Sequence, residues 1–341
     1  MTSESSLSPM RLLVTGSAGF IGSAFVRMLL GRPLKPSKGY EISKIEKIVS
    51  LDNLSYAASL ENLAPIENDP RHFFQKGDIC DRELVTKLVI EHEIEGIVNF
   101  AAESHVDRSI QSAKEFVLSN VLGTTTLLDV AVGKKLRYVQ VSTDEVYGSL
   151  GDEGTFVETM PIEPNSPYSA SKAAADCFVR AYHETHKLPC VITRCSNNYG
   201  PFQYPEKFLP LSITNLLRGR KIPLYGTGKN VRDWIHVEDH AYGVYLALTK
   251  GSYNASVYNF GGFGETSNIE MAQELLGLLA KKEDSIQYVE DRKGHDWRYS
   301  MDSSKAQREL GWKPKWELQE GLKAMVDWFK SNPAWWESKV S

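Results

Sequence analysis

The chain has 341 residues, 42% of them hydrophobic and 24% charged, with a formal net charge of −4. That length can bury a sizeable core, and the mixed, slightly acidic surface argues against a nucleic-acid or polyanion binder. Cys80, Cys177, Cys190 and Cys195 are too few and too scattered for a disulfide framework or a C-x-x-C site, so reduced thiols in a cytoplasmic protein are expected.

Residues 1–9 read as a flexible leader without the basic start or apolar stretch of a signal peptide. No uninterrupted apolar run approaches transmembrane length. The apolar run Arg11-Leu12-Leu13-Val14 ends in Thr15-Gly16 and leads into a helical pattern. Residues 31–46 carry two prolines and several lysines, and read as a surface insertion before the next strand. That strand, Lys47 to Leu51, ends in Asp52; His72 to Gln75 leads to Gly77-Asp78, after which Asp81 caps a helix running toward His92. Gly96 to Phe100 ends in Ala101-Ala102, and Arg137 to Val141 ends in Ser142. Short apolar strands alternating with helical stretches predict a Rossmann-type, doubly wound α/β fold with a parallel sheet. Beyond Asn197 the texture changes: Pro201, Pro205, Pro210 and Pro223 interrupt the pattern, and helices are expected over Glu238–Lys250, Asn268–Lys281 and Leu318–Lys330. This points to a smaller C-terminal substrate-binding lobe.

Gly16-Ser17-Ala18-Gly19-Phe20-Ile21-Gly22 joins the first strand to the first helix with G-x-x-G-x-x-G spacing. Glycines there allow a tight turn and let the backbone approach a pyrophosphate at the helix N-terminus. Asp52, at the end of the second strand, is placed for the adenosine ribose hydroxyls. A carboxylate would repel a 2′-phosphate, which favours NAD over NADP. Asp78 is either an adenine-side contact or a helix cap.

Tyr168 and Lys172 are four apart on one helix face. An ammonium close to the phenol would favour phenolate and let Tyr168 take a hydroxyl proton. Between the fifth strand pattern and this pair stands Ser142-Thr143-Asp144-Glu145-Val146-Tyr147, with two carboxylates where simple redox chemistry needs only hydroxyls. Adjacent residues on an extended chain point to opposite sides, so both can serve one substrate only if the chain turns at the strand end.

The glycine triplet, the strand-end Ser142-Thr143 and the Tyr168/Lys172 pair resemble the extended short-chain dehydrogenase/reductase superfamily. Within it, the segments 101–109, 142–148, 194–201, 205–207, 231–234 and 294–299 resemble the dTDP-glucose 4,6-dehydratase family, and the likeness spans essentially the whole chain after the leader. The resemblance implies an NAD-binding Rossmann domain over 10–196 and a mainly nucleotide-sugar-binding lobe over 197–341, with some segments returning to the Rossmann domain. It implies catalysis by Thr143, Asp144, Glu145, Tyr168 and Lys172: oxidation at C4, loss of water across C5 and C6, and return of the hydride to C6. Cofactor contacts are implied for Gly16, Gly19, Phe20, Ile21 and Gly22, then Asp52, Asn53, Leu54 and Ser55. Asp78, Ile79, Phe100, Ala101, Ala102, Ser104, Ser119, Tyr168, Lys172 and Asn198 complete that set. Serine at 119 replaces a threonine frequent among relatives and keeps the hydroxyl. The sugar nucleotide is implied to contact Ser104, Thr143, Asn197, Lys207, Phe208, Pro223, Tyr225, Arg232, Asn268, Arg298 and Tyr299, with Arg232 and Arg298 on the pyrophosphate.

The partners so implied are dTDP-glucose and a second copy of the chain, with neither nucleic acid nor membrane. Alternatives are a UDP-glucose 4,6-dehydratase, an epimerase or decarboxylase of the same superfamily, which would not need the Asp144-Glu145 pair, and a non-enzymatic NAD sensor. His183-Glu184-Thr185-His186 lacks one spacer of H-E-x-x-H, so no metal is expected there. His105 is expected to shape the pocket. Trp328, Trp335 and Trp336 suit packing or a subunit contact.

Overall fold

Apolar runs that end in glycine, aspartate or a small hydroxyl residue become strands of a single parallel sheet. In the computed structural model, which describes residues 10–291 and 294–340, β1 is Met10–Thr15, β2 Ile45–Asp52, β3 His72–Lys76, β4 Gly96–Asn99, β5 Arg137–Thr143 and β6 Cys190–Cys195. Three further strands, β7 (Asn197–Tyr199), β8 (Ile222–Tyr225) and β9 (Val231–His236), precede β10 (Ser256–Phe260), β11 (Glu265–Ser267) and β12 (Ile286–Val289). The large sheet runs β10-β6-β5-β4-β1-β2-β3, every pair parallel. The leader reading falls on residues outside those described.

Both faces of the sheet's inner strands are buried, which is why those strands read as continuous apolar runs, while the edge strand β3 stays partly exposed. Alternate side chains feed two cores: Leu12, Val14, Ile48, Val98 and Val139 pack on one side, and Leu13, Val49, Ile97 and Tyr138 on the other. Since β4 lies across β1 from β2 and β3, the crossovers part at the carboxyl ends of β1 and β4. A crevice opens at such a switch point, and ligands bind there.

The second lobe is built on β11-β9-β7 and β12-β8. Its own core joins Leu209, Ile213, Trp234, Met271, Leu275 and Phe329 with Trp335 and Trp336, so those two tryptophans are packing residues. The helix Val237–Lys250 and β10 return to the large sheet, burying Ala241, Val244, Tyr258 and Phe260 in the core beneath the first helix. Residues 31–46 are more than a surface insertion: Tyr40 Oη donates to Asp239 (2.8 Å), Ser43 N–H to Tyr245 (2.7 Å) and Lys38 Nζ to the Lys315 carbonyl (2.7 Å).

The helical stretch Lys114–Lys134 is long and apolar enough to cross a membrane by length and composition alone. Its Leu127, Leu128 and Ala131 pack into the sheet core, the usual reason for such a run in a globular domain.

Candidate active site

The crevice is a cavity of about 450 Å³ bordered by both lobes. Its floor is the turn after β1. Gly16 has φ +64°, and a Cβ there would lie 2.5 Å from the Ala101 nitrogen; at Gly22 it would lie 2.2 Å from the Gly16 carbonyl oxygen. Only glycine lets this turn close against the segment after β4. The resulting cradle fits a dinucleotide pyrophosphate.

Asp52 ends β2 and lines the cavity. Its two oxygens accept from Ala18 N–H (2.9 Å) and Leu54 N–H (2.8 Å). Burial raises its pKa, while those backbone donors oppose the rise. Asp78 lines the cavity as well and accepts Cys80 N–H (2.8 Å) within its own turn; the helix that follows is capped by Asp81, not by Asp78.

The two carboxylates reach one cavity because β5 stops at Thr143. Asp144–Tyr147 is a short 3₁₀ turn, with Thr143 Oγ1 accepting from Glu145 N–H at 3.3 Å. That turn removes the strand alternation, and Asp144 and Glu145 both line the cavity beside Tyr168. Asp144 is 1% exposed; Oδ1 accepts from the Thr143 hydroxyl (3.1 Å), while Oδ2 is buried without a hydrogen-bond partner. Burial first, then the charges of Glu145 and Asp233, push its pKa well above the usual carboxylate range. A protonated carboxyl is what these surroundings favour.

Tyr168 and Lys172 sit on the helix Pro167–His186, whose entry is fixed by the Ser166/Ser169 capping box and Pro167. Both side chains are buried. The expected lowering of the phenol by the lysine is corrected. Lys172 Nζ donates to the Val141 carbonyl at 2.7 Å, and Tyr168 is raised by burial, Glu145, Cys195 and Asp144, opposed by a hydrogen bond with Thr143. The ammonium is held by a carbonyl of β5, and burial lowers its own pKa.

From the second lobe, Asn197, Lys207, Phe208, Pro223, Tyr225, Arg232, Asn268 and Tyr299 line the cavity. Arg232 is buried, lies 4.3 Å over the Tyr299 ring and donates to the carbonyls of Val231, Asp296 and Trp297. Asn198 is oriented by the Ser196 carbonyl (3.0 Å) and the His240 ring (2.9 Å). Around the ends of the large sheet Phe20, Ile21, Asn53, Ser55, Ile79, Phe100, Ala102, Ser104 and Ser119 also line the cavity, with His105 beside them.

Two expected residues stand elsewhere. Arg298 does not line the cavity: its guanidinium forms a fork with both Glu265 oxygens (2.7 and 3.0 Å) and donates to the Gly154 carbonyl (3.0 Å). Leu54 takes φ +57° and packs its side chain against the sheet core, leaving its neighbours Asn53 and Ser55 on the cavity. Conversely, Cys195, Gln203, Tyr204, Glu206 and Asp296 line the cavity without having been singled out. The segments 205–207 and 294–299 were visible as motifs, but nothing in a motif tells which of its neighbouring side chains turns inward.

Comparison with known proteins accords with this geometry. The model of the family described as GDP-mannose 4,6 dehydratase matches residues 13–325. A dTDP-glucose 4,6-dehydratase of Streptomyces niveus is 47% identical over 329 residues, covering 96% of this chain and 95% of that protein. The crystal structure of the dTDP-glucose 4,6-dehydratase of Streptomyces venezuelae, with NAD and TYD bound, superposes with a TM-score of 0.92 at 49% identity, covering 97% of this chain and 100% of that one. A UDP-glucose 4-epimerase of Thermotoga maritima with UDP-glucose gives 0.84 at 28% identity over 95% of this chain and 100% of that one. With a parallel sheet, a glycine cradle and paired carboxyls beside a buried tyrosine, and with relatives matched from end to end, the chain belongs to the GDP-mannose 4,6 dehydratase family and, within it, to the dTDP-glucose 4,6-dehydratases.

Proposed function

We infer that this protein is an NAD-dependent hydro-lyase that converts dTDP-glucose to dTDP-4-keto-6-deoxyglucose and water. The observation carrying the reading is the Thr143-capped turn, which brings Asp144 and Glu145 into one cavity with Tyr168. An epimerase needs the tyrosine but has no use for an acid and a base side by side. The names and bound ligands of the relatives support dTDP as the nucleotide and NAD as the cofactor.

The Gly16–Gly22 turn and Asp52 would hold NAD, with Asn198 at its nicotinamide end. When bound, NAD supplies a reversible acceptor for the C4 hydride, which it returns to C6. Tyr168 takes the O4 proton as phenolate, with Thr143 orienting the hydroxyl; the positive nicotinamide of bound NAD would favour that phenolate against the burial and carboxylates that raise its pKa. Once C4 is a ketone the C5 hydrogen is acidic, and Glu145 removes it. Asp144 gives its proton to O6, the C6–O bond breaks and water leaves with a C5–C6 double bond in its place. Glu145 then returns its proton to C5 as hydride reaches C6. Tyr168 ends one proton richer and Asp144 one poorer, so a proton passing between them resets the site. Arg232, stacked on Tyr299, together with Lys207 and Asn268, would engage the nucleoside diphosphate. Arg298 acts on that lobe through Glu265.

Val117, Leu118 and Leu122 on one helix and Phe178 on the next are exposed large apolar side chains, and these two helices pack together. Such a surface suits the partner helices of a second copy, giving a homodimer. Free thiols and a sugar-nucleotide substrate suit the cytoplasm.

Purified protein incubated separately with dTDP-glucose and UDP-glucose tests the reading. A 4-keto-6-deoxy product from dTDP-glucose, with little from UDP-glucose, is expected. Epimerised sugar without loss of water, or preference for UDP-glucose, would contradict it.

A further inference from the structure

Three loops that line the cavity are tied together by one carboxylate outside the reacting centre. Tyr56, in the loop after β2 that also carries Asn53 and Ser55, donates its hydroxyl to Glu206 Oε1 at 2.9 Å. The other Glu206 oxygen lies 3.5 Å from Nε2 of His105, in the loop after β4. Glu206 itself belongs to the second lobe, 150 residues from Tyr56. Its side chain is only 15% exposed, and that of His105 20%. Next to it, Lys207 Nζ donates to the Ser104 carbonyl at 2.6 Å, a second tie between the same two loops. Tyr56 is buttressed by the Arg108 guanidinium 3.7 Å over its ring and by the edge of Tyr204 at 5.8 Å.

These ties join the segments that border the Asp52 end of the cavity to the lobe that would carry the sugar nucleotide. A cofactor that gets its hydrogen back every turnover has no need to leave. A dinucleotide lying between the β2 loop and the β4 loop would be held in place by such a bridge. We propose that Glu206, bonded to Tyr56 and facing His105, is the pin of a three-loop clasp that retains the dinucleotide from one turnover to the next. This rests on the NAD-dependent reading above and adds a retention role for residues outside the reacting centre.

The test follows bound nucleotide instead of turnover. Holoenzyme is passed through a desalting column, and the NAD remaining on the protein is measured over time, for wild type, Glu206→Ala, Glu206→Gln and Tyr56→Phe. Losing a hydrogen bond to a charged group should speed NAD loss in Glu206→Ala on the order of ten- to hundredfold. Glu206→Gln keeps an oxygen for Tyr56 and should fall between wild type and alanine. Tyr56→Phe should shed NAD faster than wild type, and added NAD should return activity to each depleted variant. If Glu206 only glues the lobes together, Glu206→Ala and Tyr56→Phe will melt earlier yet keep NAD as long as wild type, and the clasp is refuted. Should Glu206→Ala fail to fold, Tyr56→Phe and Glu206→Gln decide alone. A wild-type protein that makes the 4-keto sugar but loses NAD on the column refutes the clasp and leaves the reaction standing. Retained NAD without sugar turnover refutes the reaction instead.

Discussion

Two buried acidic constellations lie within one stretch of this molecule and are treated in opposite ways. Asp176 faces Arg194, Nε to Oδ2 at 3.0 Å, both side chains nearly sealed from solvent, with the guanidinium also 4.6 Å over the Tyr147 ring. Asp144 and Glu145 begin the turn that ends at that same Tyr147; Asp144 and Asp176 each keep one buried oxygen without a hydrogen-bond partner, but only Asp176 has a cation paired with it. A compensated charge makes a scaffold: it ties β6 to the helix bearing Tyr168 and Lys172 and braces the turn. A carboxyl without such a partner is pushed toward its protonated form, which suits Asp144 to the acid role proposed for it.

The widest separation between the two should come from Glu145→Gln. Turnover to the 4-keto-6-deoxy product should fall roughly 10²–10⁴-fold, as for loss of a general base, while oxidation at C4 persists and single-turnover spectroscopy shows reduced cofactor accumulating. Normal elimination would remove its role. Tyr168→Phe should suppress the hydride step itself by a similar factor, so that no reduced cofactor builds up. On the scaffold side, Arg194→Met should cost about 3–5 kcal/mol in urea unfolding because Asp176 is left buried and unpaired, and Arg194→Met with Asp176→Leu should recover most of that loss. A small effect of the single change would mean the pair braces nothing.

Asp144→Asn sharpens the contrast through pH. Folding raises the Asp144 pKa, so this residue's contribution to stability is full below its unfolded value and is lost as pH rises through the folded one. Asparagine cannot ionise. The variant should therefore lose elimination yet gain on the order of 1–3 kcal/mol over wild type at alkaline pH, read as melting temperature against pH. In wild type the elimination step should decline as pH climbs through the same raised value. A step that strengthens with pH there would show that Asp144 does not act as the acid.

Much of this was legible in the residues themselves. Strand ends announced themselves because an apolar run followed by Gly16, Asp52, Asp78 or Ser142 has few other uses, and the glycine spacing reported a close backbone approach. Other features depend on contacts that no local pattern encodes. Arg298 reads as a phosphate ligand until its partner Glu265 is seen, because an ion pair between distant segments leaves no periodic trace. Lys172 reads as a partner for the phenol, yet its ammonium is taken by the Val141 carbonyl, a group every residue possesses. The Asp144-Glu145 pair was ambiguous for a defined reason: strand alternation would have split it, and only the Thr143-capped turn keeps it together. β10 is five residues long, and its place at the sheet edge beside β6 follows from tertiary pairing.

The central claim is that hydrogen leaves C4 of the sugar and arrives at C6 of the same molecule. The most direct measurement is to supply dTDP-glucose carrying deuterium at C4, in ordinary water, and locate the label in the product by NMR. Deuterium at C6, with ordinary hydrogen at C5 and one water lost, is the predicted result. Deuterium remaining at C4, or washed out into solvent, would contradict the account.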